Sequence, residues 1–202
     1  MPISPNELFN QVGLKVCGTV PWGTKPQTTS PGVYSISMSA DPEAKGGVFE
    51  EAPVDLGIVR GWISRVPSFT FKGETGPSAE EVVGILKTFW LSDECIVYVG
   101  KATSLKSRLG QYFGHTLGNR SPHAGGHWIK TLSCCDSLFV HYAEVESAVS
   151  APIKESEALQ VFKSQVSGKH LGVMLNPIPF ANREHPQGNR KQNAIGKDVL
   201  RR

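Results

Sequence analysis

The segment that most restricts the fold is Cys95-Ile96-Val97-Tyr98-Val99-Gly100, an uninterrupted apolar run closed by a glycine. A half-exposed strand would alternate apolar with polar residues, so this run predicts a central strand buried on both faces. Thr103 or Ser104 can cap a helix immediately after it, and Leu105, Leu109, Tyr112 and Phe113 keep the helical period. Strand, glycine turn and amphipathic helix thus follow one another directly.

Elsewhere the pattern alternates between the two kinds of element. In Gly32-Val33-Tyr34-Ser35-Ile36-Ser37-Met38 the larger side chains recur at period two, which predicts a strand with one covered face, ending at Asp41-Pro42. Two short strand-like pieces follow, around 54–63 and 68–71, separated by Gly and Pro. Ser78-Ala79-Glu80-Glu81 is a capping-box signature, and Val82, Ile85, Leu86 and Phe89 carry the helix it opens to about Leu91. The polar, glycine-rich stretch 114–126 reads as a loop, Trp128 to Leu132 as a helical turn, and Ser137 to Val145 as a strand. Pro152 suits the start of a last helix, about Ile153 to Val166, that buries Ala158, Leu159, Phe162 and Val166 and stops at Gly168. The whole is a mixed α/β (α+β) chain, and 202 residues suffice for one core of normal size. Residues 1–30, rich in Pro, Thr, Ser and Gly, form an arm that either wraps the domain or makes a subunit contact; 31–182 are the main domain and 183–202 a basic tail.

Composition excludes some classes. With 39% hydrophobic and 19% charged residues, collagen, coiled coil and wholesale disorder are disfavoured. There is no apolar stretch of about 18 residues, and the first residues lack a basic head with an apolar centre. A cytoplasmic protein without a membrane partner is expected. Cys17, Cys95, Cys134 and Cys135 have the spacing of neither a disulfide framework nor metal knuckles, which predicts free thiols. A net charge of +3 implies no polyanion by itself. The tail sets Arg183, Arg190, Lys191, Lys197, Arg201 and Arg202 against Glu184 and Asp198, and is either a phosphate contact or a solvated terminus.

The densest polar constellation is Tyr98, Lys101, Arg108 and Tyr112. Gly100 lets the backbone turn or approach a ligand, and Arg108 and Tyr112 meet because they stand four apart on a helix. Arg offers a rigid fork matched to phosphate, while Lys is a mobile point charge. Hydrolysis of a phosphodiester also needs an activated water and neutralisation of developing charge, which a tyrosine and a carboxylate carrying Mg²⁺ or Mn²⁺ supply. Glu155 is the best carboxylate available. Singly, each residue has an ordinary alternative: a core tyrosine, solvated surface charges, helix-solubilising glutamates. His123 and His127 stand at a zinc-like spacing, but the two glycines between them argue for a loop; His115 and His141 are secondary candidates.

On these residues the chain resembles the GIY-YIG nuclease family. Gly32-Val33-Tyr34 and Tyr98-Val99-Gly100 are similar to its two half-motifs, each with Ile replaced by Val, and YVGKATSLKSRLGQY resembles its second block, with Arg108 and Tyr112 at the family's spacing. Lys101 lies where several members place a functional lysine. Glu155, with Ala158, Leu159 and Phe162 beyond it, resembles the register of the metal-binding glutamate better than its rival Glu157, which is followed by Gln160, Val161 and Ser164. A Pro-x-x-Asn or related ending is usual, and Asn176 resembles its asparagine. The resemblance implies a small three-stranded antiparallel sheet flanked by helices, one ion per site on Glu155, water activated or oriented by Tyr34 or Tyr98, a transition state stabilised by Arg108 and Lys101, Tyr112 holding water or phosphate, and Asn176 ordering the site. Typical members have only a turn between the half-motifs. Here either residues 43–92 are an insertion, or Gly32-Val33-Tyr34 is a chance match and the first strand lies elsewhere.

The function expected is metal-dependent endonucleolytic cleavage of double-stranded DNA, most like compact restriction-type members, with no nucleotide cofactor. Lys101, Lys106, Arg108, Arg120 and Lys191 are the expected nucleic-acid contacts. Alternatives are a non-cleaving binding protein on the same scaffold and a repair or mobile-element nuclease. A homodimer is expected, since one site cuts one strand and palindromes match two-fold assemblies. Phe69 with Phe71 and Phe89 with Trp90 are either material for that contact or core.

Overall fold

In the computed structural model, which describes residues 1–122, 126–166, 177–184 and 190–200, the elements run α1 (Pro5–Gln11), β1 (Gly18–Pro21), β2 (Gly32–Ser37), α2 (Leu56–Arg65), β3 (Thr70–Phe71), β4 (Glu74–Thr75), α3 (Ala79–Lys87), β5 (Ile96–Ala102), α4 (Leu105–Phe113), β6 (Phe139–Glu144), α5 (Ser150–Gln165) and β7 (Ile195–Gly196). Short 3₁₀ turns at His127–Thr131 and Cys135–Ser137 join α4 to β6. The expected mixed α/β class and antiparallel sheet are present.

The central sheet has four antiparallel strands in the order β1-β6-β2-β5, not three. The extra strand comes from the N-terminal arm, where Gly18 to Pro21 pair with Tyr142 to Phe139 at the edge of β6. The arm also folds α1, whose Ser4 hydroxyl accepts from the Glu7 amide while the Glu7 carboxylate accepts from the Ser4 amide. Leu8 and Phe9 are buried, and α1 packs against α5.

All six residues of β2 are buried, where one covered face was expected. Lying between β6 and β5, this strand has a layer on each side. Val33 joins the core under α1 and α5 with Val99, Leu159 and Phe162. Tyr34 and Ile36 join the opposite core with Tyr98, Leu105, Leu109 and Trp128. The period-two alternation therefore distributes side chains between two cores instead of between core and water.

Residues 54–63 do not form a strand. Asp55 caps a helix there, its Oδ1 accepting from the Ile58 amide at 2.8 Å, and Val59, Trp62 and Val66 recur at helical spacing and are buried. Trp62 Nε1 donates to the Asp198 carbonyl at 2.8 Å, a tertiary contact that local β-propensity cannot register. Ser78 opens α3 with the predicted capping box, but the helix stops at Lys87, four positions before Leu91. Phe69, Phe71, Phe89 and Trp90 are buried within the protomer, so these rings form core and not a subunit face.

A second small sheet, β4-β3-β7, ties the segment between the half-motifs to the C-terminal region. The described part of the basic tail is therefore folded back onto the domain. All four cysteines are free thiols. Among the described residues, no helix is long and apolar enough to cross a membrane.

Candidate functional site

The register of β2 against β5 brings the two half-motifs together: Tyr34 lies opposite Gly100, and Ile36 opposite Tyr98. Residues 38–95 thus connect two strands that are neighbours in the sheet. The Tyr34 and Tyr98 ring centroids are 6.0 Å apart, and those of Tyr98 and Tyr112 are 5.6 Å apart. Gly100 is required by this packing. A Cβ there would lie 2.8 Å from the Tyr34 hydroxyl and 2.7 Å from Tyr98 Cε1, so any side chain would displace a tyrosine.

The charged half of the site comes from the end of β5, from α4 and from α5. Lys101 Nζ sits 3.0 Å from Glu155 Oε2; the lysine side chain is 48% exposed and the glutamate 15%. Burial pushes the Glu155 carboxyl above the ordinary glutamate value, and Lys101 and Arg108 offset this only in part. Arg108, half-buried on α4, also acts electrostatically on Tyr34, Tyr98 and Tyr112. Burial raises the pKa of all three phenols. They are neutral donors at physiological pH.

Tyr34 is fully buried, and its hydroxyl has no hydrogen-bond partner: the Arg108 guanidinium and the Tyr98 hydroxyl face it, but outside hydrogen-bonding geometry. An unpartnered buried hydroxyl destabilises a fold by about 1–3 kcal/mol. A cleft of about 840 Å³ opens alongside, lined by Tyr98, Lys101, Glu155, Asn182, Arg183 and Arg190 among others. A smaller recess of about 280 Å³ adjoins it and carries Arg108 and Ser104, with Lys101 and Pro152 lining both.

Glu157 also borders the cleft, but its carboxylate is paired with Lys154 at 2.9 Å, and Lys154 donates further to the Val12 carbonyl. Tyr112 does not face the cleft: it is fully buried, and its hydroxyl donates to the Gly126 carbonyl. Its ring and Gly126 brace Tyr98, since a Cβ on Gly126 would meet Tyr98 Cε2 at 2.5 Å. Its hydroxyl is thus engaged within the fold, where the resemblance implied a hold on water or phosphate.

Lys191 is likewise not a surface cation. It is 5% exposed, Nζ donates to the carbonyls of Pro179 at 2.7 Å and Phe180 at 2.8 Å, and it lies over the Phe89 and Trp128 rings. Lys106 is half-buried on α4 and Arg120 is exposed in the loop after it; neither lines the cleft. His127 is buried with Nε2 3.2 Å from Asp198 Oδ2, and His141 lies between Thr19 and Ser37 at 2.8 and 2.9 Å. No group of three His, Cys, Asp or Glu residues that would hold a metal occurs among the described residues. Asn176 and His123 lie outside the described residues.

Asn182 is a site residue that the sequence reading missed. Its Oδ1 accepts from the Val99 amide at 2.9 Å and its Nδ2 donates to the Val99 carbonyl at 2.8 Å, so one side chain substitutes for a neighbouring strand on the open edge of β5. It fixes the peptide between Tyr98 and Gly100 and also lines the cleft. The signal was available, because Pro179-Phe180-Ala181-Asn182 spells Pro-x-x-Asn, and the Asn182 amide donates to the Pro179 carbonyl to close that turn. In comparisons with known proteins, no family model, no curated protein and no solved structure matches the chain.

Proposed function

We propose that the chain is a divalent-metal-dependent endonuclease acting on double-stranded DNA, a compact nuclease of the GIY-YIG kind. One observation carries this: Tyr98, Lys101 and a mostly buried Glu155 line one cleft, Arg108 lines the recess that adjoins it, and the fully buried Tyr34 packs against Tyr98 within electrostatic reach of Arg108 and Glu155. Phosphodiester hydrolysis needs this mixture of a carboxylate, fixed cations and neutral hydroxyl donors.

The donor set fits a hard divalent cation. Mg²⁺ is held by one or two carboxylates, with water and substrate phosphate completing its shell, and Glu155 is a carboxylate lining an open cleft. When bound, such an ion stabilises the charge that develops on the phosphoryl oxygens. The chain's own groups do the rest. Arg108 presents a guanidinium fork to a phosphate, and Lys101 neutralises charge on an entering or leaving oxygen. Because burial keeps Tyr34 and Tyr98 protonated, their part is to orient water and donate hydrogen bonds, not to act as phenolate bases. Asn182 holds the Val99 peptide, and hence Tyr98, in place.

Since the Phe and Trp rings of the insertion are core, a two-fold assembly would form on the DNA, each protomer cutting one strand. The insertion and the loop after α4 remain for base recognition in a restriction-type enzyme. The test is nicking of supercoiled plasmid with Mg²⁺ or Mn²⁺ and an EDTA control. Metal-dependent nicking that disappears in Glu155→Gln is expected. Tight DNA binding with no cleavage under any divalent ion would leave the binding-only alternative, which the occupancy of Glu155 by Lys101 favours.

A further inference from the structure

Lys101 and Glu155 are unequal partners. The carboxylate is 15% exposed and fixed on the first half of α5, whereas the ammonium is on a 48% exposed side chain with a flexible stem. Glu155, which lines the cleft, already has a cation 3.0 Å from its Oε2. A divalent ion bound to the same oxygen would meet a like charge at contact distance, so both cannot remain. The mobile partner is the one that leaves. An anion in the cleft gives it a better destination than water, since the wall carboxylates Glu157 and Glu184 are already paired with Lys154 and Arg190.

We infer that Lys101 is a built-in competitor for the divalent cation at Glu155, displaced when a phosphate enters the cleft, so that metal and nucleic acid bind with positive coupling. The inference rests on the proposed role of Glu155 and adds a positioning function for Lys101 in the empty enzyme. Free protein then binds metal weakly. The phosphate draws the ammonium off the carboxylate, and by reciprocity bound metal tightens the grip on phosphate. Ion and substrate are taken up together, and the unliganded site does not hold a cation on which stray water can be activated.

The test is titration with Mn²⁺ alone, without DNA, free Mn²⁺ being read by electron paramagnetic resonance. Wild type, Lys101→Met and Glu155→Gln are compared, with folding checked by thermal melting. Removing the competitor is expected to tighten Mn²⁺ binding about fivefold, the order set by a partly exposed ion pair. It should remain tighter at about 0.5 M salt, where the general field of a missing surface charge is screened but a direct contact is not. Glu155→Gln is expected to lose the site. Unchanged or weaker binding in Lys101→Met, or a gain that vanishes in salt, overturns the competition while leaving Glu155 as the ligand. Undiminished binding in Glu155→Gln would overturn the ligand role and the competition together.

Discussion

Among the described residues, two mostly buried carboxylates, Asp198 and Glu155, are each paired with basic side chains, and the two pairings differ in kind. Asp198 lies 2.7 Å from Arg183 and 3.2 Å from His127, its own backbone carbonyl accepts from Trp62, and β7, close before it, pairs with β3. Burial pushes its carboxyl up, but the His127 hydrogen bond and the Arg183 charge more than offset this, leaving it below the ordinary value. Glu155 has one partner on a mobile stem, a carboxyl that stays above the ordinary value, and an open cleft beside it. The first grouping has its charge matched and locks the C-terminal segment. The second keeps charge, access and, in the neighbouring Tyr34 hydroxyl, hydrogen-bonding capacity in reserve. The residue types are alike in the two groupings, and what differs is how fully the carboxylate is paired.

Parallel neutralisation of the two carboxylates should break that comparison most sharply. Glu155→Gln is expected to lower metal-dependent nicking by about 10³-fold, the scale of losing a main electrostatic group, with little change in melting temperature. Asp198→Asn leaves Arg183 and His127 without their anion and should cost about 2 kcal/mol, lowering the melting temperature by about 4–8 °C, while nicking below the transition stays within a few-fold. Plasmid nicking and calorimetry on both variants check this. Equal destabilisation by the two changes would place Glu155 among the structural pairs.

A smaller effect with a diagnostic sign comes from Tyr34. Were it a core tyrosine with a satisfied hydroxyl, Tyr34→Phe would lose a hydrogen bond and destabilise the protein. Its hydroxyl is buried and unpartnered, so Phe should instead be neutral or stabilising by about 1 kcal/mol, while nicking falls about 10²-fold. Chemical denaturation with single-turnover cleavage measures both. Loss of stability without loss of activity would return Tyr34 to the core.

What the sequence made legible is what is local. Tyr98, Gly100, Lys101 and Arg108 come from one strand-turn-helix run, and Glu155 shows itself through the burial of Ala158, Leu159 and Phe162 beyond it. Pairing of Tyr34 with the Tyr98 strand was spelled in residues but not in order, because β-pairing across an insertion has no local signature. The helix α2 was hidden by β-branched residues and glycines, and was decided by the Asp55 cap and the burial of Trp62. Lys191 reads as a solvated charge until two carbonyls and two aromatic rings enclose it. Asn182 lines the cleft and completes an open strand edge, and although its Pro-x-x-Asn spacing stands in the sequence, the strand edge it completes does not.

The smallest expected effect is the pH dependence of stability, and there the two carboxylates should differ in sign. The Asp198 carboxyl is lowered in the folded state, so its stabilisation is present above the unfolded value near 4 and is lost as pH falls through the folded value. From about pH 5 to 8 the gap between wild type and Asp198→Asn should therefore be flat, and it should close only in more acid solution. Glu155 is raised, so folding favours its protonated form. Its contribution is fully present below the ordinary glutamate value near 4.3 and is lost as pH rises through the folded value. Glutamine stays neutral throughout, so Glu155→Gln should gain on wild type as pH rises through that window and keep the gain to pH 8. Unfolding free energies measured in urea at half-unit pH steps give the two difference curves directly. A Glu155→Gln curve that tracks the Asp198→Asn curve would mean that Lys101 satisfies Glu155 as fully as Arg183 and His127 satisfy Asp198, and the distinction between a matched pair and a poised one would fail.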